Sequence, residues 1–156
     1  AQEDKVIQVV DELKRGLEEA RRVKRSLAKR LVNLELKQIA QEAKPIKNLM
    51  LKLGGEEGLD EEYHILFGEA VTNLYPNLIY IGLVVINERV KVLVFSGSEA
   101  VESGVNAGLL AKALSKHIGG SGGGDAKFGQ GGGTADKAKE ISTKAEEIIR
   151  EMLGGE

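Results

Sequence analysis

Nine of the fifteen residues between positions 119 and 133 are glycine, and no other stretch limits the possible folds so strongly. Ordering a glycine costs more backbone entropy than ordering any other residue. A folded chain keeps this many where the backbone needs φ > 0, where another group approaches closely, or where the segment stays flexible. The segment reads Gly119-Gly120-Ser121-Gly122-Gly123-Gly124-Asp125-Ala126-Lys127-Phe128-Gly129-Gln130-Gly131-Gly132-Gly133. It is expected to be a loop between two helices, 105–118 and 134–153. Three roles compete: a backbone cradle for phosphate or nucleic acid, a linker, and close packing without a ligand. Phe128 and Gln130 argue against a plain linker, as do two amphipathic flanks that need a common core. No Gly-Lys-Ser/Thr ending follows, so this is not a nucleotide P-loop. The preceding element is a helix and successive βαβ units are lacking, which argues against a dinucleotide fold. The second half leads into a helix start at Thr134, with Thr134 as cap and Asp136 in the first turn. Exposed amides at such a junction attract anions.

The other extreme lies at the N-terminus. Residues 3–44 contain no proline and a single glycine, Gly16. Val6, Val10, Leu13, Leu17, Ala20, Leu27, Leu31 and Leu34 recur at steps of three and four, with Lys24 interrupting the seam. This predicts a coiled coil or a long packed helix. A helix of about 40 residues is roughly 60 Å long, too long for the rest of the chain to cover. The uncovered stripe predicts a homodimer through these eight residues, unless the helix folds back at Gly16 or packs on a further part of the same polypeptide. Pro45 marks a break, and 46–53 reads as a second short helix stopped by Gly54-Gly55.

Beyond Gly58 the pattern changes. The stretch 63–71 reads as an edge strand or a helix. Positions 78–86 form a near-continuous apolar run, as in a strand buried on both faces. Asn87-Glu88 interrupts it and 89–95 alternates, so the pair reads as a β-hairpin. Ser96 opens a loop to Ser103. The expected fold is α+β: a helical arm, 1–55, and a small globular domain, 56–156.

Composition narrows the chemistry. The chain has no cysteine, which removes disulfides, thiolate metal sites and a cysteine nucleophile. Its two histidines, His64 and His117, are far apart and read as structural or surface residues. Glu61-Glu62 and Glu146-Glu147 read as solvated pairs, and Tyr75 as core or rim packing. No signal peptide or membrane-spanning run is visible, so a cytoplasmic location is expected. Net charge is −2, but residues 1–53 carry about +5 and the remainder about −7. Lys14, Arg15, Arg21, Arg22, Lys24, Arg25, Lys29 and Arg30 crowd the long helix. Such a row either meets phosphates or is a solvated face.

The spacing of the glycine segment resembles the signature of the DHH-associated domain. That signature runs double glycine, one residue, three glycines, three variable residues, an apolar residue, a small residue, Gln and further glycines. The domain closes alanyl-tRNA synthetases and also occurs in DHH-family phosphoesterases. The hairpin at 87–94 and the helix start Val105-Asn106-Ala107-Gly108 agree with it, over about 60–153. Many members carry Arg-Pro-Asp where this chain has Asp125-Ala126-Lys127. The long helix resembles the synthetase arm, and no Asp-His-His stretch of the phosphoesterases is present.

The resemblance implies a non-catalytic domain that dimerises the enzyme and binds the outer corner of tRNA. Gly122, Gly123, Gly124, Lys127, Gln130, Gly131 and Gly132 are the implied contacts, with Arg21, Arg22 and Arg25 as a second candidate surface. No catalytic residue, metal site or cofactor is expected within the chain; ATP, magnesium and zinc would belong to the parent enzyme. Two alternatives remain: the substrate-binding lobe of a DHH phosphoesterase, and a pure oligomerisation module.

Overall fold

The structure is a computed structural model that describes residues 1–55 and 59–154. A single helix, α1 (Gln2–Leu36), runs through Gly16 without folding back, followed by one turn, α2 (Ile39–Glu42). Then come β1 (Lys44–Ile46), β2 (Leu49–Gly54), α3 (Glu61–Leu74), β3 (Leu78–Ile86) and β4 (Arg89–Ser96). After α4 (Ser98–Glu102) and α5 (Ala107–His117) lie β5 (Gly122–Gly124) and β6 (Phe128–Thr134). A 3₁₀ segment, Ala135–Glu140, leads into α6 (Ile141–Met152).

The expected helix at 46–53 is instead a hairpin. Lys47 turns with φ of 53°, and Leu49 and Leu51 are buried while Met50 and Lys52 are only partly so. That two-residue alternation belongs to a strand. Gly54 therefore ends a strand, not a helix. The stretch 63–71 is helical: Asp60 accepts a hydrogen bond from the Tyr63 amide at 3.0 Å and caps α3. Residues 98–102, expected as loop, form α4. The helix expected from Thr134 begins as 3₁₀, and the Thr134 hydroxyl donates to the Ile118 carbonyl (3.0 Å) instead of capping.

The six strands lie in the order β1-β2-β3-β4-β6-β5. β2 and β3 are parallel, joined by α3; the other pairs are antiparallel. Strands from both sides of the expected boundary at 55/56 share this sheet. That boundary abuts residues 56–58, and it and the change of pattern at Gly58 fall against residues outside those described.

Side chains alternate across the sheet. Leu51, Ile79, Ile81, Val92 and Val94 face α5 and α6, and with Leu110, Leu114 and Ile149 make one core. Leu78, Tyr80, Leu93 and Phe95 face α3, and with Phe67, Val71, Val32 and Ile39 make the other. The sheet is thus sandwiched between two helical layers. Only the C-terminal part of α1 joins this sandwich. Val32 is buried and Leu31 and Leu36 pack on the second core. Lys24 bridges Asp60 (2.6 Å) and Glu62 (3.4 Å) at the start of α3. That bridge accounts for the charge inside the apolar seam.

Candidate nucleic-acid interface

The glycine segment is a hairpin, not a loop. β6 pairs with β4 from Arg89↔Thr134 to Phe95↔Phe128, and β5 pairs with β6 from Gly122↔Gly131 to Gly124↔Gly129. The glycines are explained by what lies on them. A Cβ on Gly129 would collide with the Ala107 carbonyl, one on Gly131 with Ser115 Oγ, one on Gly133 with Ile118, and one on Gly108 with the Gly124 backbone. Helix α5 therefore rests directly on the backbone of β5 and β6. Gly123 differs: a Cβ there meets nothing within 4 Å.

Most amides of the segment are committed. Gly131 and Gly132 lie between two strands. Thr134 donates to Ile118 (3.0 Å) and Ala135 to Glu88 (2.9 Å), so the expected anion site at this junction is filled by carbonyls. At the other end, the first amides of α5 donate to the turn: Ala107 to Ala126 (3.0 Å) and Gly108 to Asp125 (2.7 Å). The turn also carries its own anion. Asp125 Oδ1 accepts from the amides of Phe128 and Lys127, both at 2.9 Å. These bonds, from Phe128 first, hold the Asp125 carboxyl below the usual carboxylate range. Asp125 N–H donates to Phe128, and Gly132 N–H to Ser121. Antiparallel alternation then makes Gly123 and Gln130 the bonded pair and turns the polar groups of Gly122 and Gly124 to the sheet's free edge. Lys127 and Gln130 are exposed beside that edge.

The second candidate surface is on α1. At about 100° per residue, Lys14, Arg15, Arg21, Arg22, Arg25 and Lys29 fall within one arc of about 120°, all exposed. The apolar seam runs beside this arc. One member of its C-terminal part, Leu31, is taken up by the chain's own core. Val6, Val10, Leu13, Leu17, Leu27 and Leu34 remain 41–68% exposed, and Ala20 is exposed as well. The hairpin and the basic arc are thus separate surfaces.

One feature escaped the sequence. Between α3 and the ends of β4 and β6 lies a cleft of about 480 Å³, walled by Ile65, Glu69, Phe95, Lys127 and Phe128. Its residues come from three distant segments, so spacing alone could not assemble it.

Residues 67–151 match the model of the DHHA1 domain, more than half of the chain. The chain belongs to the DHHA1 domain family. The chain is 41% identical over 91 residues to an alanine–tRNA ligase of Nitrosopumilus maritimus, covering 58% of this chain and 10% of that enzyme. With the Thermosynechococcus vestitus alanine–tRNA ligase it is 25% identical over 155 residues, 98% of this chain and 18% of the enzyme. The chain thus spans a small fraction of these relatives. Among solved structures, the C-Ala domain of Aquifex aeolicus alanyl-tRNA synthetase shares the DHHA1 fold with a TM-score of 0.63 and 21% identity, over 72% of this chain and 98% of that one. A pGpG-specific phosphodiesterase from Vibrio shares it with a TM-score of 0.51 and 20% identity, over 81% of this chain and 41% of that one.

Among the described residues of this DHHA1 domain no group of three or more His, Asp or Glu is placed to hold a metal ion. No helix among them is long and apolar enough to cross a membrane. His64 is fully buried, its Nδ1 2.6 Å from the Tyr80 hydroxyl. His117 lies 3.6 Å from Glu140.

Proposed function

We propose that this chain is a non-catalytic part of an alanine–tRNA ligase that pairs with a second copy through α1 and binds the outer corner of tRNA. The observation that carries the reading is the reach of the likeness: it extends over 155 residues of one such enzyme, arm and sheet together. Two physical features support it. About 33 Å of α1, residues 2–23, projects beyond the sandwich with an apolar stripe that its own chain leaves open. Along that helix runs a cationic arc of a kind that neutralises phosphates without reading sequence.

In this reading Lys127, Gln130 and the free edge at Gly122 and Gly124 approach the RNA, and Arg21, Arg22 and Arg25 add salt-dependent affinity. ATP, magnesium and zinc belong to segments of the parent enzyme other than this one. Anisotropy titration of labelled tRNA(Ala) tests it. Binding is expected to weaken as salt rises, and more on truncating the tRNA corner than on altering the acceptor stem. A folded chain that leaves tRNA free at low salt refutes the reading, and leaves the oligomerisation role to stand alone.

A further inference from the structure

The chain contains three Phe and three Tyr, and five of these six rings form one ladder. Tyr63 stacks on Phe67 (5.8 Å between centroids) and Phe67 meets Tyr80 edge-on (4.8 Å). Tyr80 lies 6.2 Å from Phe95, and Phe95 4.9 Å from Phe128. The ladder starts under α1, where the Tyr63 hydroxyl bonds Glu35. It ends at half-buried Phe128, in the wall of the 480 Å³ cleft. A volume of this size suits a small molecule or a single nucleotide unit. An aromatic chain that ends at an open cleft offers the next ring a place to stack.

The two charged groups of the cleft, Glu69 and Lys127, stand on opposite sides. On the α3 side stand the Glu69 carboxylate and the Thr72 hydroxyl, whose proton is given to the Gly68 carbonyl at 2.7 Å. Both accept hydrogen bonds. On the turn side stands Lys127, the one cation among the lining residues. A phosphate is repelled from the first side and drawn to the second. An exocyclic amino group is drawn to the first. We propose that the cleft receives one unstacked, amino-bearing nucleobase of a bound RNA, its face on Phe128, its amino edge toward Glu69 and Thr72, and its phosphate at Lys127. This rests on the RNA-binding reading above and deepens it, because Lys127 belongs to the same turn as the glycine edge. Stacking on exposed aromatics is the usual way in which single-stranded bases are held.

The whole chain, methyl-labelled for NMR, is titrated with CMP, UMP and ribose 5-phosphate to about 10 mM, where a millimolar fragment is nearly saturating. CMP is expected to shift the Ile65 methyls, UMP less, and ribose 5-phosphate not at all. No shift with CMP, or equal shifts with ribose 5-phosphate, overturns the proposal. In the tRNA titration, Phe128→Leu is expected to lower affinity about tenfold. Unchanged affinity overturns the cleft and leaves the tRNA reading standing. If Phe128→Leu does not fold, Glu69→Gln at an exposed position carries the test, and the preference for CMP over UMP is expected to vanish. A preference that survives Glu69→Gln counts against the proposal. CMP in the cleft of a chain that binds no tRNA refutes the RNA-binding reading, and with it RNA as the source of the base.

Discussion

Gly129 and Gly123 lack side chains alike but have opposite surroundings. Gly129 faces the first turn of α5, where a Cβ would collide with the Ala107 carbonyl and come within 2.8 Å of the Ala107 and Gly108 backbones. Backbone cannot swing aside as a flexible side chain does, so overpacking here is costly. Gly129→Ala is expected to destabilise by about 2 kcal/mol in urea unfolding, and Gly123→Ala to stay within about 0.5 kcal/mol of the parent. Equal effects would remove the packing account of the glycines. His64 makes a second residue-scale prediction. Burial pushes its imidazole below the ordinary 6.5, against the opposing pull of Asp60. Below that pH the unfolded chain takes up a proton that the folded chain refuses, so stability falls as pH drops. The melting temperature should therefore decline between about pH 7.5 and about 5.5. In His64→Gln that decline should be shallower, whatever the variant's stability at neutral pH.

The elements differ in how plainly the sequence announces them. The hairpin of β3 and β4 follows from an apolar run, the turn at Asn87 with φ of 58°, and an alternating partner. α1 and α5 follow from spacing and from the lack of proline. Helix α3 was ambiguous because Tyr63, Phe67 and Val71 suit strands as well as helices. What decides it is the Asp60 cap and a face that lies on the sheet across β3 and β4. The 46–53 stretch misleads for the opposite reason. Its leucines favour helices, yet β3 offers a parallel edge, and Lys47 accepts a positive φ to reach it. The glycine segment was legible in content and not in form. Three glycines in a row resemble a loop in any local view. Only the flat seat of α5 makes them strands, and that contact is tertiary. The cleft was illegible for the same reason.

As a molecule, the chain is a closed sandwich with an open lever. The stripe of α1 is interrupted at Lys24: beyond it Leu31 packs on the second core, while the side chains of the first five or six turns stay exposed. A helix with this much uncovered apolar surface is a marginal structure in water by itself. The double variant Leu13→Asp, Leu17→Asp is expected to convert a dimer to a monomer in light scattering, with the melting of the sandwich unchanged. A wild-type chain that stays monomeric at high concentration rules out the pairing. The seat of α5 on the hairpin ties two separate parts of the sequence together. Ala107, Gly108, Ala111 and Ser115 on one side, and Gly122, Gly124, Gly129 and Gly131 on the other, share a single allowance of volume. Growth on either side alone is blocked, so substitutions that survive there should arrive as compensating pairs. Related sequences are expected to show the two sets drifting together, even as the exposed arm between its apolar positions drifts freely.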